Sequence, residues 1–354
     1  MTDLAGILTR QIREAGPITV AEYMANCLQH PTHGYYTSRE PFGASGDFTT
    51  APEISQMFGE LLGLALGQSW RDRGAPSKFN LVEFGPGRGT LLSDILRAAA
   101  QFPGFADAAE IHLVETSPVL REVQSKTIDA PVVHHDTLES IPAGPFFLVA
   151  NEFFDALPIR QFVRDGDSWR ERVVGLDDNN KLSFGLSDVT DPEFLRSRLE
   201  DTSAGDLVEY SLQAEMIADK IGRRICRDNG VAMIMDYGNW RSLGDTLQAI
   251  RRHRPVSSLE LPGEADVTAH VDFETIAAAA APAQHSELTP QGVFLERLGI
   301  TARAQVLARG LTEKALESHI AAHRRLTHPD EMGNLFKVMA VFAPDTPVPP
   351  GLGP

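Results

Sequence analysis

The segment FNLVEFGPGRGT, residues 79–90, constrains the fold of this 354-residue chain more than any other. A β-prone run leads into Gly85, Gly87 and Gly89, and a helical pattern follows over residues 90–102. Glycine permits positive φ and lets a ligand approach the backbone closely. In open α/β sheets, ligands bind at the carboxyl ends of the strands. The segment therefore predicts a strand, a ligand-binding turn and a helix, with a turn that binds no ligand as the alternative.

Alternating strand and helix patterns continue beyond this turn. Further β-rich runs lie at residues 110–115, 131–135, 145–151, 230–238 and 335–343. Helical patterns between such runs are typical of a parallel sheet covered by helices. We therefore predict an α/β fold with a Rossmann-like, mostly parallel core, an N-terminal helical segment and an inserted accessory region.

The same patterns divide the chain into five segments. We expect an N-terminal helical segment over 1–76, a core over 77–238 with an antiparallel insertion near 160–186, an accessory region over 239–330, a final core strand over 331–343 and a flexible tail over 344–354. In the first segment, Thr50 and Glu53 match a capping box, with Pro52 in the first turn. An apolar stripe at helical spacing follows, so one continuous helix is predicted there.

Composition excludes several classes of function. The formal net charge of −16 disfavours non-specific nucleic-acid binding, which depends on neutralising phosphates. Cys27 and Cys226 are the only cysteines, so no disulfide framework is implied. No apolar stretch reaches the roughly 20 residues of a membrane-spanning helix. The paired histidines at 30/33 and 319/323 fall in stretches rich in surface residues, and we predict no metal site.

The glycine spacing itself narrows the class of ligand. Thr90 stands where the dinucleotide fingerprint G-x-G-x-x-G needs its third glycine, and the phosphate-loop motif is absent. The G-x-G-x-G spacing resembles motif I of S-adenosylmethionine-dependent methyltransferases. A hydride-transferring nicotinamide enzyme is therefore disfavoured.

Acidic residues follow the next strands in register with this turn. Glu115 can accept hydrogen bonds from both hydroxyls of a ribose, Asp136 can accept from an adenine amino group, and Leu138 can pack on the base. The fourth strand ends in the acidic segment NEFFDALPIRQF, residues 151–162. Each carboxylate alone could be a solvated loop residue or a helix cap, but their coincidence at successive strand ends favours a nucleoside site.

Longer segments resemble one family, the MidA-like S-adenosylmethionine-dependent methyltransferases. They are GYYTSREPFGASGDFTTAPEISQMFGELLG, LVEFGPGRGTLLSDIL, NEFFDALPIRQF, MDYG, PGEADVTAHVDF and MGNLFKVM. The resemblance spans most of the chain, from about residue 16 to 343. It implies a class I methyltransferase core with a substrate-facing accessory domain and S-adenosyl-L-methionine as cofactor. It also implies N-methylation of arginine in a protein, linked in a mitochondrial branch of the family to respiratory complex I assembly.

The resemblance also implies which residues form the site. Its cofactor-binding positions fall on Glu83, Gly85, Pro86, Gly87, Gly89, Glu115 and Asn151. An N-terminal loop carrying Asp47 and Thr50 would help to cover the cofactor, although the residues alone indicate only a helix entry. Because no N-terminal targeting extension is apparent, we expect a bacterial-type, cytoplasmic member.

An arginine substrate explains the acidic segment after the fourth strand. Guanidinium has a pKa of about 12.5 or above and pairs with carboxylates through a planar fork of donors. We therefore expect Glu152 and then Asp155 to be catalytic, with Asn151 facing the methionine end of the cofactor. The alternative for Glu152 is a carboxylate that stabilises a helix N-terminus.

Three further carboxylates have two interpretations each. The segment Asp236–Gly238 could border the substrate channel or merely end a strand in a turn. Asp266 and Asp272 could hold a substrate arginine or cap helices, and capping is favoured for both.

Two other functions stay open at this stage. One is a chaperone that binds S-adenosylmethionine and assembles a partner without methyl transfer, which would not need the acidic segment. The other is a small-molecule methyltransferase, which the large accessory regions disfavour. The sequence does not define the target protein or the oligomeric state.

Overall fold

The N-terminal segment is mostly helical. The structure, a computed structural model, describes residues 4–38 and 50–353. The first elements are α1 (Leu4–Ala15), β1 (Ile18–Thr19), α2 (Val20–Gln29), α3 (Tyr35–Ser38), α4 (Ala51–Ile54) and α5 (Gln56–Asp72). A capping box starts α2, where the Thr19 hydroxyl accepts from the Glu22 backbone and the Glu22 carboxylate accepts from the Thr19 backbone.

The single helix predicted after Thr50 is interrupted at Ser55. Ser55 has an extended backbone, and its hydroxyl caps α5 by accepting from the Met57 backbone N–H. The Thr50 side chain makes no capping hydrogen bond, so the predicted capping box is wrong. The Glu53 carboxylate instead accepts a hydrogen bond of 2.6 Å from the Thr90 hydroxyl. Glu53 therefore joins α4 to the helix that follows the glycine turn.

Strands and helices alternate through the core and its insertion. These elements are β2 (Phe79–Phe84), α6 (Thr90–Ala99), α7 (Phe105–Ala108), β3 (Ala109–Val114), α8 (Pro118–Thr127), β4 (Val132–His135), β5 (Phe146–Asn151), β6 (Arg160–Asp165), β7 (Ser168–Leu176), β8 (Leu182–Thr190), β9 (Leu207–Tyr210), α9 (Leu212–Asp228) and β10 (Gly230–Asn239). A single 3₁₀ turn lies at Leu138–Ser140, and a longer 3₁₀ helix lies at Glu193–Leu199.

The last part of the chain mixes short strands with helices. Its elements are β11 (Gln248–Arg251), β12 (Arg254–Val256), β13 (Asp266–Thr268), β14 (Val271–Asp272), α10 (Phe273–Ala279), β15 (Gln284–His285), β16 (Thr289–Pro290), α11 (Gln291–Arg297), α12 (Ile300–Ala308), α13 (Glu313–Thr327), α14 (Met332–Leu335) and β17 (Phe336–Phe342).

The main sheet has the order β15-β17-β10-β5-β2-β3-β4. Its strands β4, β3, β2, β5 and β10 are parallel, and β17 returns antiparallel to β10. Glu83 of β2 lies in register with Leu113 of β3 and Val149 of β5, so these strands end at one edge. The predicted α/β, Rossmann-like fold class is confirmed.

Two smaller sheets cover the carboxyl edge of the main sheet together with the N-terminal helices. The first has the order β1-β7-β6-β9 with β8 paired to β7, and the second has the order β12-β11-β13. Buried residues from α1, α2, β7 and β13 form one hydrophobic cluster, which includes Leu8, Tyr23, Val174 and Val267. The segment 239–330 is therefore divided, because β11–β13 join this cluster while Phe294 and Ile300 of α11 and α12 join the core under the main sheet.

The C-terminal tail packs against the core, which differs from the flexible tail expected from its proline and glycine content. Leu352 is buried in the same cluster as Phe294. The Arg297 guanidinium donates hydrogen bonds to the carbonyl oxygens of Gly351 and Gly353, at 3.3 and 3.1 Å. Contacts distant in sequence therefore order this segment.

A row of glycines brings α5 unusually close to α6. Gly59, Gly63 and Gly67 follow one another at four-residue spacing along α5. A Cβ on Gly63 would lie 2.5 Å from the Ile95 carbonyl oxygen, and one on Gly59 would lie 2.5 Å from the Asp94 Cβ. Because α6 begins at the glycine turn, this packing fixes the position of the turn.

We expect Gly63→Ala to lower the free energy of unfolding by about 1–2 kcal/mol, because crowding a backbone oxygen outweighs the roughly 1 kcal/mol by which alanine favours a helix. The measurement is a urea unfolding curve. The matched control is Gly310→Ala, where an added Cβ meets no atom within 4 Å. A Gly63→Ala protein as stable as the control would contradict the close approach of the two helices.

Candidate active site

The glycine turn after β2 has a backbone that favours glycine at three positions. The φ angles of Gly85, Gly87 and Gly89 are +57°, +51° and +84°. Gly85 and Gly87 line a large cavity. Gly89 starts α6 on the other side of the turn, and a Cβ there would lie 3.1 Å from the Ile128 side chain. Gly89 therefore closes the turn on the α6 side, and its predicted contact with a cofactor stays a prediction.

The cavity has a volume of about 850 Å³ and lies at the carboxyl ends of β2, β3, β4 and β5. The predicted site residues in its wall are Thr50, Glu83, Gly85, Pro86, Gly87, Glu115, Asp136, Leu138, Asn151, Glu152 and Asp155. Asp47, also predicted, lies outside the described residues. The fold thus brings together residues that are up to 105 positions apart in sequence, from Thr50 to Asp155.

Glu115 is fixed at the cavity wall by two neighbours on and before α8. Its carboxylate accepts from the Ser117 backbone N–H at 2.8 Å and from the Gln124 side-chain amide at 3.2 Å. The same Gln124 amide donates to the Gly87 carbonyl oxygen at 2.8 Å. Gln124 thus connects the acid to the glycine turn, and sequence reasoning missed it because an amide within a helix carries no motif.

Asp136 lies at the rim rather than deep in the cavity. Its side chain is 80 % exposed and forms an ion pair of 2.5 Å with Arg121. The Arg121 guanidinium also donates to the Glu115 carbonyl oxygen at 2.7 Å. Leu138, two residues further on, is buried beside it. The rim therefore places the apolar side chain of Leu138 next to the carboxylate of Asp136. An adenine ring can pack on the first, and its amino group can donate to the second.

Two buried acceptors beneath the turn lack partners among the described residues. They are one carboxylate oxygen of Glu83, Oε2, and the side-chain oxygen of Asn151. Burial raises the pKa of Glu83 to about 8. Unpartnered acceptors are costly in a protein interior. Their position beside exposed glycine backbone fits a ligand that carries donors and positive charge, as the amino-acid end of S-adenosylmethionine does.

Glu152 occupies a strained turn directly after β5. Its φ is +51°, which is uncommon for a residue with a side chain. Its carboxylate accepts from the backbone N–H of Ala51, at 3.3 Å, and from the Asn151 amide, at 3.2 Å. Burial and then the charge of Asp155 raise the pKa of Glu152 to about 7. No helix follows Glu152 among residues 153–159. The helix N-terminus that its carboxylate contacts is therefore that of α4, which is distant in sequence.

Asp155 and Asp236 complete the acidic side of the cavity. Asp155 is buried, its Oδ1 has no partner among the described residues, and burial raises its pKa to about 6. Asp236 lies behind it and accepts from the backbone N–H groups of Phe154 and Asp155, at 3.0 and 3.2 Å. Asp236 therefore shapes the turn that presents the other two acids.

Asp266 and Asp272 have different roles. Asp272 caps α10 by accepting from the Thr275 backbone N–H at 2.9 Å, as the sequence favours. Asp266 lies within β13 and is the N-cap of none of the described helices, which differs from the capping that the sequence favours. Asp266 lines the cavity and accepts a hydrogen bond of 2.8 Å from the Tyr36 hydroxyl. Tyr237, in the segment expected to border a substrate channel, also lines the cavity. Sequence reasoning missed Tyr36, because nothing local to this residue signals a site.

Three features are typical of a class I S-adenosylmethionine-dependent methyltransferase. They are a parallel sheet whose last strand is antiparallel, a glycine turn after the first strand of the core, and a carboxylate after the second. A family model described as "Putative S-adenosyl-L-methionine-dependent methyltransferase" matches residues 61–293. The chain belongs to this family, and the resemblance to MidA-like methyltransferases is confirmed.

Relatives of known name or structure agree with this class. The chain is 38% identical to the mitochondrial "Protein arginine methyltransferase NDUFAF7 homolog" of Drosophila melanogaster, over 96% of this chain and 84% of that protein. It is 34% identical to the mitochondrial "Protein arginine methyltransferase NDUFAF7" of Homo sapiens, over 97% and 84%. A crystal structure from Burkholderia thailandensis bound to S-adenosyl-homocysteine has a TM-score of 0.82 at 28% identity, covering 99% of this chain and 92% of that one.

These comparisons correct one prediction. A cytoplasmic, bacterial-type member was expected, but the named relatives of this chain are mitochondrial proteins, so the cytoplasmic prediction is wrong. Within residues 4–38 and 50–353, no helix is both long and apolar enough to cross a membrane.

We expect Gly87→Val to weaken binding of S-adenosylhomocysteine at least tenfold, because the new side chain enters the cavity wall and distorts the turn. Calorimetric titration of the folded protein measures this. The control is Gly166→Val, which places the same side chain at a φ of +60° in open space in the β6–β7 turn. Both variants carry similar backbone strain, so equal loss of affinity in the two would argue against the assignment of the turn.

Proposed function

We propose that this methyltransferase transfers a methyl group to a guanidinium nitrogen of arginine in a protein substrate. The observation that carries the proposal is a pair of carboxylates, the half-buried Glu152 and the buried Asp155, in the cavity wall beside the glycine turn. A cationic side chain is the partner that two desolvated carboxylates require. The names of the curated relatives, which are protein arginine methyltransferases, support the same substrate class.

The charges of the whole cavity agree with two cationic ligands. Its described wall contains eight carboxylates, which are those of Glu53, Glu83, Glu115, Asp136, Glu139, Glu152, Asp155 and Asp266. The same wall contains the cations Arg88 and Lys220, and Lys220 is paired with Glu139. Such a surface attracts a sulfonium and a guanidinium and disfavours anionic substrates.

The residues of this chain perform the acid–base part of the reaction. When bound, the sulfonium of the cofactor would supply an electrophilic methyl group, and the methyl–sulfur bond that breaks would leave a neutral thioether. Glu152 orients one terminal nitrogen of the guanidinium and accepts the proton that this nitrogen releases as its bond to carbon forms. Asp155 holds the delocalised charge from the second side. A pKa of about 7 suits Glu152 to this role, since a general base works best near the ambient pH.

We further infer that the substrate protein is a subunit of respiratory complex I. This step is supported by the MidA-like family resemblance and by the mitochondrial relatives named above. It is tested by comparing arginine methylation of purified complex I from cells with and without the gene. If arginine methylation of complex I is the same in both kinds of cell, complex I is not the substrate, although the proposed chemistry of the site still stands.

Glu152→Gln keeps the size of the side chain and removes the base. We expect the rate of tritium transfer from labelled cofactor into an arginine-containing peptide pool to fall at least about 100-fold, as for loss of a general base. The affinity for S-adenosylhomocysteine should stay within a few-fold. The control is Glu122→Gln on the exposed face of α8, whose carboxylate pairs only locally with Lys126. A Glu152→Gln enzyme with the wild-type rate would remove Glu152 from catalysis.

The raised pKa of Glu152 predicts a specific dependence on pH. Below about 7 the carboxyl group is mostly protonated and can neither pair with guanidinium nor accept a proton. We expect kcat/KM to rise up to about tenfold per pH unit between roughly pH 5.5 and 7 and then to level off. Because the pKa of Asp155 is raised to about 6, its protonation makes kcat/KM depend more steeply on pH in the lower part of this range. The residual activity of Glu152→Gln should lack the rise near pH 7, and a profile that falls across this range would contradict the assignment.

A further inference from the structure

The strand β13 presents a polar face to the far end of the cavity. Side chains alternate along a strand, so Asp266 and Thr268 share one face while Val267 points to the other. Both polar residues line the cavity, and Val267 is buried in the hydrophobic cluster shared with α2. In register with them on β11 lie Ile250 and Gln248, which also line the cavity. The small three-stranded sheet is therefore one wall of the site.

Hydrogen bonds fix this wall to the acidic turn after β5. The Ala269 backbone N–H, one residue beyond β13, donates to the Asp155 carbonyl oxygen at 3.0 Å. The Tyr237 hydroxyl, at the end of β10, donates to the Thr268 hydroxyl at 2.5 Å. The carboxylate of Asp266 is thus held at a defined position relative to Asp155, although Asp266 lies in the small sheet and Asp155 lies in the turn after β5.

Tyr36 of α3 orients the Asp266 carboxylate. Its hydroxyl donates to Asp266 Oδ1 at 2.8 Å. Burial raises the pKa of Tyr36, and the charges of Asp266 and Asp155 raise it further, as they do only when the phenol lies near both carboxylates. Tyr36 also lines the cavity. One phenol therefore contacts the Asp266 carboxylate in the cavity wall and lies near Asp155.

We propose that Asp266, oriented by Tyr36, binds the side of the substrate guanidinium that points away from the cofactor, and so selects arginine over lysine. The proposal rests on the proposed function, in which Glu152 and Asp155 hold the reacting side. A guanidinium presents five N–H donors in a plane and needs acceptors on more than one edge. A lysine ammonium is a compact point charge that a single carboxylate cluster satisfies. Acceptors on two walls therefore favour arginine.

Binding of small probes tests this without methyl transfer. Ethylguanidinium and propylammonium are titrated into protein loaded with S-adenosylhomocysteine, and ligand-observed NMR gives the dissociation constants. We expect the wild type to bind ethylguanidinium at least tenfold more tightly than propylammonium. Asp266→Asn should remove most of this preference, and Tyr36→Phe should reduce it by a smaller factor. Asp272→Asn, whose side chain caps α10 outside the cavity wall, is the matched control and should behave as the wild type.

Steady-state kinetics then separate recognition from chemistry. With peptide pools that carry one central arginine, Asp266→Asn should raise KM at least tenfold while kcat stays within about threefold, because Asp266 does not contact the reacting nitrogen. If Asp266→Asn does not fold, Tyr36→Phe, which loses one hydroxyl, gives the same test at smaller amplitude.

The possible results are distinguishable. Wild-type affinity for ethylguanidinium in both Asp266→Asn and Tyr36→Phe would overturn the proposal, and so would a wild type without preference between the two probes. If the preference depends on Asp266 but no arginine pool accepts methyl groups, the guanidinium site stands and the proposed methylation of arginine fails.

Discussion

The burial of carboxylates at the carboxyl edge of the main sheet is the constraint on which the rest of the site depends. Glu83 and Asp155 are buried and Glu152 is half-buried, and desolvation raises the pKa of each. Taking an ion from water into a protein interior costs several kcal/mol unless a partner compensates it. Asp236 holds the backbone between these acids, and Ala51 donates to one of them. The surrounding fold therefore maintains an arrangement that becomes favourable when cations enter.

The elements that shape the substrate end come from opposite parts of the chain. Tyr36 lies on α3 near the N-terminus, and Asp266 lies on β13, yet one hydrogen bond joins them in the cavity wall. Their backbones are held by a common hydrophobic cluster, in which Tyr23 of α2 packs with Val267 of β13. The methyltransferase core supplies the cofactor end, and these added layers supply the selectivity for the second ligand.

Local patterns predicted the core strands, the glycine turn and most of the cofactor end, because β-rich runs and glycine spacing act within a few residues. The same reasoning failed where contacts between residues distant in sequence determine the local conformation or the position of a side chain. Ser55 interrupts the predicted helix, and Glu53 just before it accepts a hydrogen bond from Thr90, a partner 37 positions away. Asp266 resembles a helix cap in sequence, but it lies in strand β13, and the alternation of side chains along this strand directs Asp266 toward the cavity. Leu352 is ordered by packing that its proline-rich neighbours do not reveal.

The four-residue helix α4 connects the two ends of the site. At one end Glu53 accepts from Thr90, the first residue of the helix after the glycine turn, and at the other the Ala51 backbone donates to Glu152. A displacement of α4 would change the donor available to Glu152 and with it the proton affinity of that group. Because linkage is reciprocal, any effect of an occupied nucleoside pocket on the protonation of Glu152 is matched by an equal effect of that protonation on occupancy.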